Sequence, residues 1–501
     1  MSALVSGVDV AVIGAGTMGR GIAQVAAAAG HTVFLFDSSA DAVAKGRQAM
    51  AKDLHFLVEK GKLADQECQA ILDRVRPAEK LEDLKTAGLV IEAVIENLEV
   101  KRDLFRRLEA LLGTEAILAT NTSSISVTAV AAGLARPERV VGLHFFNPAP
   151  RMALVEVVSG LATDPALVDD LVDTARAWGK VPVRARSTPG FIVNRVARPY
   201  YAEPLRVLGE RAGSLETLDA LLRESCRFPM GPFELMDFIG HDVNFAVTCS
   251  VFDATFGDRR FQPSLIQQEL VLAGRLGRKS GRGFYDYASG AARAAPALLP
   301  PHTAPTRASM LGDLGPMNAL ADRLSVAGVD VERMNGTGAL VAGAAMLALT
   351  DGRTATQRSL DEKLPNLVLI DLALDYAGVK HLGVARSDQC SDQAFGDAVG
   401  LLQAAGIQVS PIDDVAGMLA MRTVCMLANE AADAVVQGIA SRADIDAAMR
   451  YGTNYPLGPL EWAARLGFRR VVAVLDNLRA HYGEERYRVS PWLRRQLATE
   501  S

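Results

Sequence analysis

His144 and Glu156 are the two side chains in this sequence best suited to moving a proton together. His144 ends an apolar run, Val140–His144 (VVGLH), and Glu156 sits inside another, Leu154–Val158 (LVEVV). A lone carboxylate in such a run would be costly to bury, and a histidine backed by a buried carboxylate is an oriented general base. A purely structural histidine–glutamate hydrogen bond has the same signature. Ser123 follows the run Ala116–Thr120 (AILAT) and brings a hydroxyl; Asn194, a few residues after Pro189-Gly190, brings an amide. With those two groups to hold an oxygen, the set suits interconversion of an alcohol and a carbonyl.

A second constellation lies at the start of the chain. The apolar run Val8–Ile13 leads directly into Gly14-Ala15-Gly16-Thr17-Met18-Gly19, then an Ala-rich stretch, then Thr32–Phe36 (TVFLF) and Asp37. Strand, glycine turn, helix, strand and acid in that order form a dinucleotide-binding unit. Gly14 permits the tight turn, Gly16 lets backbone N–H groups approach a pyrophosphate, and Gly19 lets the helix pack closely on the sheet. The helix N-terminus adds positive partial charge. Asp37 can accept from both ribose hydroxyls and would repel a 2′-phosphate, and Ser38, Ser39 and Ala40 offer no cation to receive one. The expected cofactor is NAD.

The elements that must hold these groups can be read around them. Further strand-like runs at Leu89–Ala93, Ala116–Thr120 and Val140–His144 alternate with helix-like segments, including Asp41–Lys60 and Leu98–Leu112. Such alternation predicts a doubly wound sheet, whose ligands bind beyond the carboxyl ends of the strands. That rule puts Ser123 and His144 toward the cofactor. After Pro189-Gly190 the pattern is helical through Leu276, and an Ala/Pro-rich stretch then reads as a linker.

Adding 227 to positions in the helical segment recovers Arg195 at Arg422, Glu203 at Glu430, Asp219 at Asp446, Pro229 at Pro456 and Glu234 at Glu461. The helical domain is therefore duplicated. Between the copies, Leu367–Leu374, His381–Ala385 and Ile407–Ser410 read as strands of a reduced α/β segment, and Gly336-Thr337-Gly338 there follows no apolar strand. The expected domains are a sheet domain at 1–187, a helical domain at 188–288, a linker at 289–309, a reduced α/β segment at 310–410 and a second helical copy at 411–501. That copy has Met421 where the first has Asn194 and stops before a counterpart of Gly277–Tyr287. It keeps packing residues and lacks the chemistry.

Composition narrows the partners. Lys plus Arg number 53 against 58 acids, a formal charge of −5, too balanced for a chain devoted to nucleic acid or an anionic membrane. Five scattered cysteines without a C-x-x-C pair exclude a disulfide framework and a zinc knuckle, and no metal site is expected. No apolar run reaches the length of a membrane span, and with no basic leader segment the expectation is a cytoplasmic protein.

Seven stretches together resemble the L-3-hydroxyacyl-CoA dehydrogenases: VIGAGTMGRGIA at 12–23, IEAVIENLEVK at 91–101, NTSS at 121–124, GLHFFNPAPRMALVEV at 142–157, TPGFIVNRV at 188–196, PMGPFELMDFIG at 229–240 and LGRKSGRGFYDY at 276–287. The resemblance implies an N-terminal Rossmann-type sheet and NAD-dependent oxidation of a 3-hydroxyacyl-CoA. It puts the catalytic pair on His144 and Glu156, with Ser123 and Asn194 at the substrate oxygen. It puts NAD contacts on Gly14–Gly19, Asp37, Glu96, Lys101, Ser123 and Lys279, and the CoA nucleotide near Lys60. Arg151 and Ala153 depart from the family, which more often has an apolar residue and a lysine there. The two-copy form looks like the long bacterial members, most of all the form acting on 3-hydroxyadipyl-CoA in phenylacetate breakdown. 3-Hydroxybutyryl-CoA or general β-oxidation substrates are the alternative, and a non-catalytic NAD-binding relative is the reading from another class. For the far carboxylate of such a substrate the candidate is Arg198, one helical turn after Asn194, with Arg151 second. The two helical copies are expected to pair as an internal pseudo-dimer, with homodimerisation of the whole chain left open.

Overall fold

The computed structural model describes Leu4 and residues 7–499. Contacts divide it into two compact units, Met1–Arg195 with Gln437–Thr453, and Val196–Val436 with Asn454–Ser501. Among the described residues no helix is long and apolar enough to cross a membrane.

The first unit is built on eight strands: β1 (Val10–Ile13), β2 (Val33–Phe36), β3 (Val75–Pro77), β4 (Leu89–Glu92), β5 (Ile117–Thr120), β6 (Val140–Phe145), β7 (Leu154–Ser159) and β8 (Val181–Arg186). Their order is β3-β2-β1-β4-β5-β6-β7-β8, parallel throughout except for the antiparallel pair β6/β7. Strands β1, β4, β5 and β6 are buried along their whole length, which is why they read as continuous apolar runs rather than alternating ones. Helices Ala40–Glu59 and Leu98–Leu111 match the sequence reading to within a residue. Strand β8 (VPVRAR) alternates exposed and buried positions and carries a proline, so it gave no such run. The order reverses between β1 and β4, the switch point at which such sheets bind ligands. Helix Arg442–Gly452, from the second helical copy, belongs to this unit and lies against β7 and β8, with the Arg186 amide bonded to the Ile439 carbonyl.

The second unit begins with the expected run of helices, Arg198–Gly209, Leu215–Glu224, Pro232–Ile239, His241–Ala254 and Leu265–Leu272. The Ala/Pro-rich stretch expected as a linker is bonded to the rest of this unit. The Ala297 amide donates to Thr217 and the Leu299 amide to the Val409 carbonyl, and a strand already starts at Arg307. A seven-stranded sheet follows: β9 (Arg307–Leu311), β10 (Asp330–Met334), β11 (Ala339–Ala342), β12 (Ala345–Leu349), β13 (Leu367–Ile370), β14 (His381–Arg386) and β15 (Gln408–Pro411), in the order β10-β9-β11-β12-β13-β14-β15. The first four are absent from the sequence reading. Strand β10 (DVERM) is mostly exposed and charged, while β11 and β12 are Ala-rich, a composition that favours helix. Gly336-Thr337-Gly338 connects β10 to β11, with the Gly338 amide donating to Leu311.

The offset of 227 extends beyond the helical copies. Strands β6 and β7 begin at 140 and 154, and β13 and β14 at 367 and 381; helix Pro165–Ala177 matches helix Asp392–Ala404. The pairings match as well: β6/β7 and β13/β14 are antiparallel, β7/β8 and β14/β15 parallel. The second sheet thus repeats the C-terminal half of the first. On this offset His144 corresponds to Asp371 and Glu156 to Gly383.

Asp371 is buried, and its carboxylate accepts from the amides of Leu419 (3.1 Å), Ala420 (2.7 Å) and Met421 (3.0 Å) at the start of helix Ala420–Val436. Burial pushes its pKa up to about 6 despite those donors. The native state therefore holds this proton more tightly than the unfolded chain does. Its stabilising contribution is complete near pH 4 and is lost as pH rises through 6. In urea titrations, the stability of the native protein relative to Asp371→Asn should fall by on the order of 3 kcal/mol between pH 4 and pH 7; a flat difference would contradict the shift.

Candidate active site

His144 and Glu156 stand directly opposite each other across the antiparallel β6/β7 pair. The imidazole Nδ1 lies 2.6 Å from one carboxylate oxygen of Glu156, and both side chains are buried. A carboxylate has no proton to give, so Nδ1 carries it and Nε2 is left as the basic nitrogen. Phe146 and Phe191 wall the ring, with centroids 4.5 and 5.8 Å away. The other Glu156 oxygen accepts from the amides of Ile192 and Val193, each at 3.0 Å. A turn makes that approach possible: Gly190 has φ 76° and Phe191 φ 48°, and the Phe191 amide returns to the Thr188 carbonyl. Asn194 follows at once, half-buried, in the short helix Val193–Val196.

Ser123 is placed by a second carboxylate. One oxygen of Glu96 accepts from the Thr122 hydroxyl (2.5 Å), the Ser123 amide (3.0 Å), the Ser124 amide (3.2 Å) and the Ser124 hydroxyl (3.0 Å). Burial alone would raise the Glu96 pKa, but the Thr122 hydroxyl and the Lys101 ammonium outweigh it and hold the carboxyl below the ordinary glutamate range. Lys101 is itself buried, with its ammonium 2.6 Å from Glu92 and 3.3 Å from Glu96. It supports the turn through Glu96. The sequence reading also missed Asn121, whose side-chain oxygen accepts from the Phe145 amide at 2.8 Å and ties the end of β5 to the end of β6.

The glycine loop fits a dinucleotide. A Cβ on Gly14 would lie 2.5 Å from the Ala93 carbonyl oxygen, and one on Gly19 would lie 1.7 Å from that of Gly14, whereas Gly16 faces open space. Gly16 starts helix Thr17–Ala28 without any side-chain cap, so the first-turn N–H groups around Thr17 and Met18 are available to phosphate oxygens. Asp37 closes the loop by accepting from the Ala15 amide (2.8 Å) and the Ser39 amide (3.1 Å).

The remaining expected site residues have their own local surroundings. Lys60 caps the end of helix Ala40–Glu59, exposed, with its ammonium over the Phe56 ring. Lys279 belongs to the second unit and pairs with Asp242. Arg151 is exposed. Asn194 lies in the helix Val193–Val196, and Arg198 opens the helix Arg198–Gly209 with Pro199 in its first turn.

Models of the 3-hydroxyacyl-CoA dehydrogenase NAD binding domain match residues 9–188, and those of its C-terminal domain match 190–287 and again 417–500. A protein of Escherichia coli K12 described as 3-hydroxyadipyl-CoA dehydrogenase is 47% identical over 492 residues, 98% of each chain. The chain belongs to the 3-hydroxyacyl-CoA dehydrogenase family. It is an NAD-dependent oxidoreductase. The crystal structure of a 3-hydroxybutyryl-CoA dehydrogenase from Escherichia coli K12 superposes with a TM-score of 0.91 at 46% identity, covering 99% of both chains. The mitochondrial hydroxyacyl-coenzyme A dehydrogenase of Sus scrofa is 39% identical over 284 residues, 56% of this chain and 90% of its own. A model of the 3-hydroxybutyryl-CoA dehydrogenase reduced Rossmann-fold domain matches residues 347–415 of this dehydrogenase, within the second sheet.

The two oxygens of Glu156 can be tested separately. Glu156→Ala strands two buried amides and the imidazole N–H, each costing about 1–3 kcal/mol. Glu156→Gln keeps a carbonyl oxygen for Ile192 and Val193 and should retain most of the stability. Urea denaturation should rank wild type, then Gln, then Ala, with at least about 2 kcal/mol between the two variants.

Proposed function

We propose that this dehydrogenase oxidises the C3 hydroxyl of an L-3-hydroxyacyl-CoA with His144 as general base. The observation that carries this reading is the 2.6 Å contact between His144 Nδ1 and Glu156. It fixes the tautomer whose Nε2 takes the hydroxyl proton, and it supplies the negative charge that stabilises the imidazolium formed. Ser123 and Asn194 hold the C3 oxygen as it becomes a carbonyl. The loop Gly14–Gly19 and Asp37 hold NAD, which when bound supplies the acceptor for the hydride leaving C3. The rings of Phe146 and of the buried Phe191 flank the imidazole and limit its contact with water.

The substrate we assign is 3-hydroxyadipyl-CoA, on the strength of the full-length relative so described. The full-length solved relative is described instead by 3-hydroxybutyryl-CoA, so the two substrates are the pair to compare. The helical copies are proposed to pair internally: Arg422, fully buried in helix Ala420–Val436, donates to Glu203 of helix Arg198–Gly209 at 2.7 Å and lies near Glu210. We place the enzyme in the cytoplasm, its full-length relative being bacterial.

His144→Ala should lower kcat by ~10²–10⁴-fold, followed at the nicotinamide absorbance, while NADH affinity by fluorescence titration stays within about twofold of wild type. A parallel loss of NADH binding would make His144 structural. For the native enzyme, kcat/KM should be higher with 3-hydroxyadipyl-CoA than with 3-hydroxybutyryl-CoA, and the reverse order would replace the assigned substrate.

A further inference from the structure

A cavity of about 250 Å³ lies wholly within the second unit. Its wall includes Arg198, Tyr201 and Leu205 of helix Arg198–Gly209, Thr248, Phe261 and Gln267. Arg198 is 5% exposed. One guanidinium nitrogen donates to the Thr248 hydroxyl at 3.0 Å, the group stacks 4.8 Å from the Tyr201 ring centroid, and Nε has no hydrogen-bond partner.

The other arginines on the same wall are matched. Arg206 pairs with Glu484 at 2.8 Å, Arg260 with Asp433 and Glu430, and Arg486 with Glu484 and, at 3.7 Å, Glu203. Among the described residues, Arg198 has no carboxylate partner. Its charged form is opposed by burial, which pulls its pKa down. A guanidinium stays protonated even so, and an uncompensated buried charge is strongly destabilising. A fixed charge of this kind, bordering a cavity with mixed polar and apolar walls, is the arrangement of an anion subsite.

We propose that this cavity binds the carboxylate of a short aliphatic acid, held by Arg198 with the chain against Tyr201, Leu205 and Phe261. One unmatched positive charge balances a monoanion and would leave a phosphate dianion with surplus charge. The carboxylate comes either from a free acid or from the end of a dicarboxylyl substrate. The subsite itself does not depend on which substrate the enzyme oxidises.

The test is calorimetric titration of the full-length enzyme with adipate and with hexanoate, and with inorganic phosphate as the control. Saturable binding of either acid to wild type is expected, with phosphate weaker. Arg198→Met should weaken it by at least about tenfold, the worth of a charge-assisted hydrogen bond. Should Arg198→Met fail to fold, Leu265→Asp serves. Leu265 lines the cavity and is 77% exposed, so the change places a carboxylate at the wall without disturbing the core, and it should abolish acid binding. The source is read from turnover. A loss of kcat/KM in Arg198→Met confined to 3-hydroxyadipyl-CoA identifies the substrate's far end, and equal kcat/KM on both substrates together with acid binding identifies a free acid. Absence of acid binding in wild type with no substrate-selective loss in the variants would overturn the subsite, and phosphate binding more tightly than either acid would overturn its chemistry.

Discussion

The site depends on one buried carboxylate that receives two different kinds of donor. Glu156 gives one oxygen to the imidazole of His144 and the other to the amides of Ile192 and Val193. The orientation of the base and the path of the chain out of the sheet are therefore a single constraint. A shift of the 188–193 turn would move the carboxylate, and the imidazole with it. Two helix-entry amides in a buried setting would each cost about 1–3 kcal/mol unpaired, so the fold has its own reason to keep the group that the chemistry uses.

The internal repeat separates those two demands. At the position matching Glu156 the second copy has Gly383, where a Cβ would come within 2.7 Å of Ile412 and 3.1 Å of Leu221. At the position matching His144 it has Asp371, which accepts from Leu419, Ala420 and Met421. The offset of 227 carries Ile192 and Val193 onto Leu419 and Ala420. The anchoring of backbone amides is preserved while the carboxylate has moved to the neighbouring strand and the imidazole has gone. Packing alone thus requires an acceptor at this corner and does not require a base.

How much of this could be read from the sequence follows from which residues carry a local signal. The glycine loop and Asp37 are local, because turn geometry and helix start fall within a few positions. Strands β1, β4, β5 and β6 announce themselves because both faces are buried. The facing of His144 and Glu156 is not local, since it needs the antiparallel register of β6 on β7, and apolar runs are silent on register. Lys101 illustrates the same limit: its motif marks it as important, but only the fold shows its charge absorbed by Glu92 and Glu96. The second sheet was half legible because β10 is exposed and β11 and β12 are composed of helix-favouring residues. Asp371 escaped because a repeat found through identities cannot show a position where histidine has become aspartate.

The buried arginines of the second unit extend the same logic to charge. Helix Ala420–Val436 is buried at every position from Ala420 to Ala434, which explains its many small and apolar residues and means that each of its charges, Arg422, Glu430 and Asp433, needs partners. Arg422 is tolerated because Glu203, Glu210, Tyr482 and Tyr487 all reach it. A hydrophobic residue of similar size could often fill such a place at no loss of stability, so the cluster's value lies in directional bonds that fix how helix Arg198–Gly209 meets helix Ala420–Val436. Against that standard Arg198 stands apart. It occupies the first position of the same helix, just as deeply buried, yet the matching of charges that governs Arg206, Arg260, Arg422 and Arg486 does not include it. A residue that serves packing alone would have no need of a guanidinium there, and the charge is the property that remains to be explained by what enters the cavity.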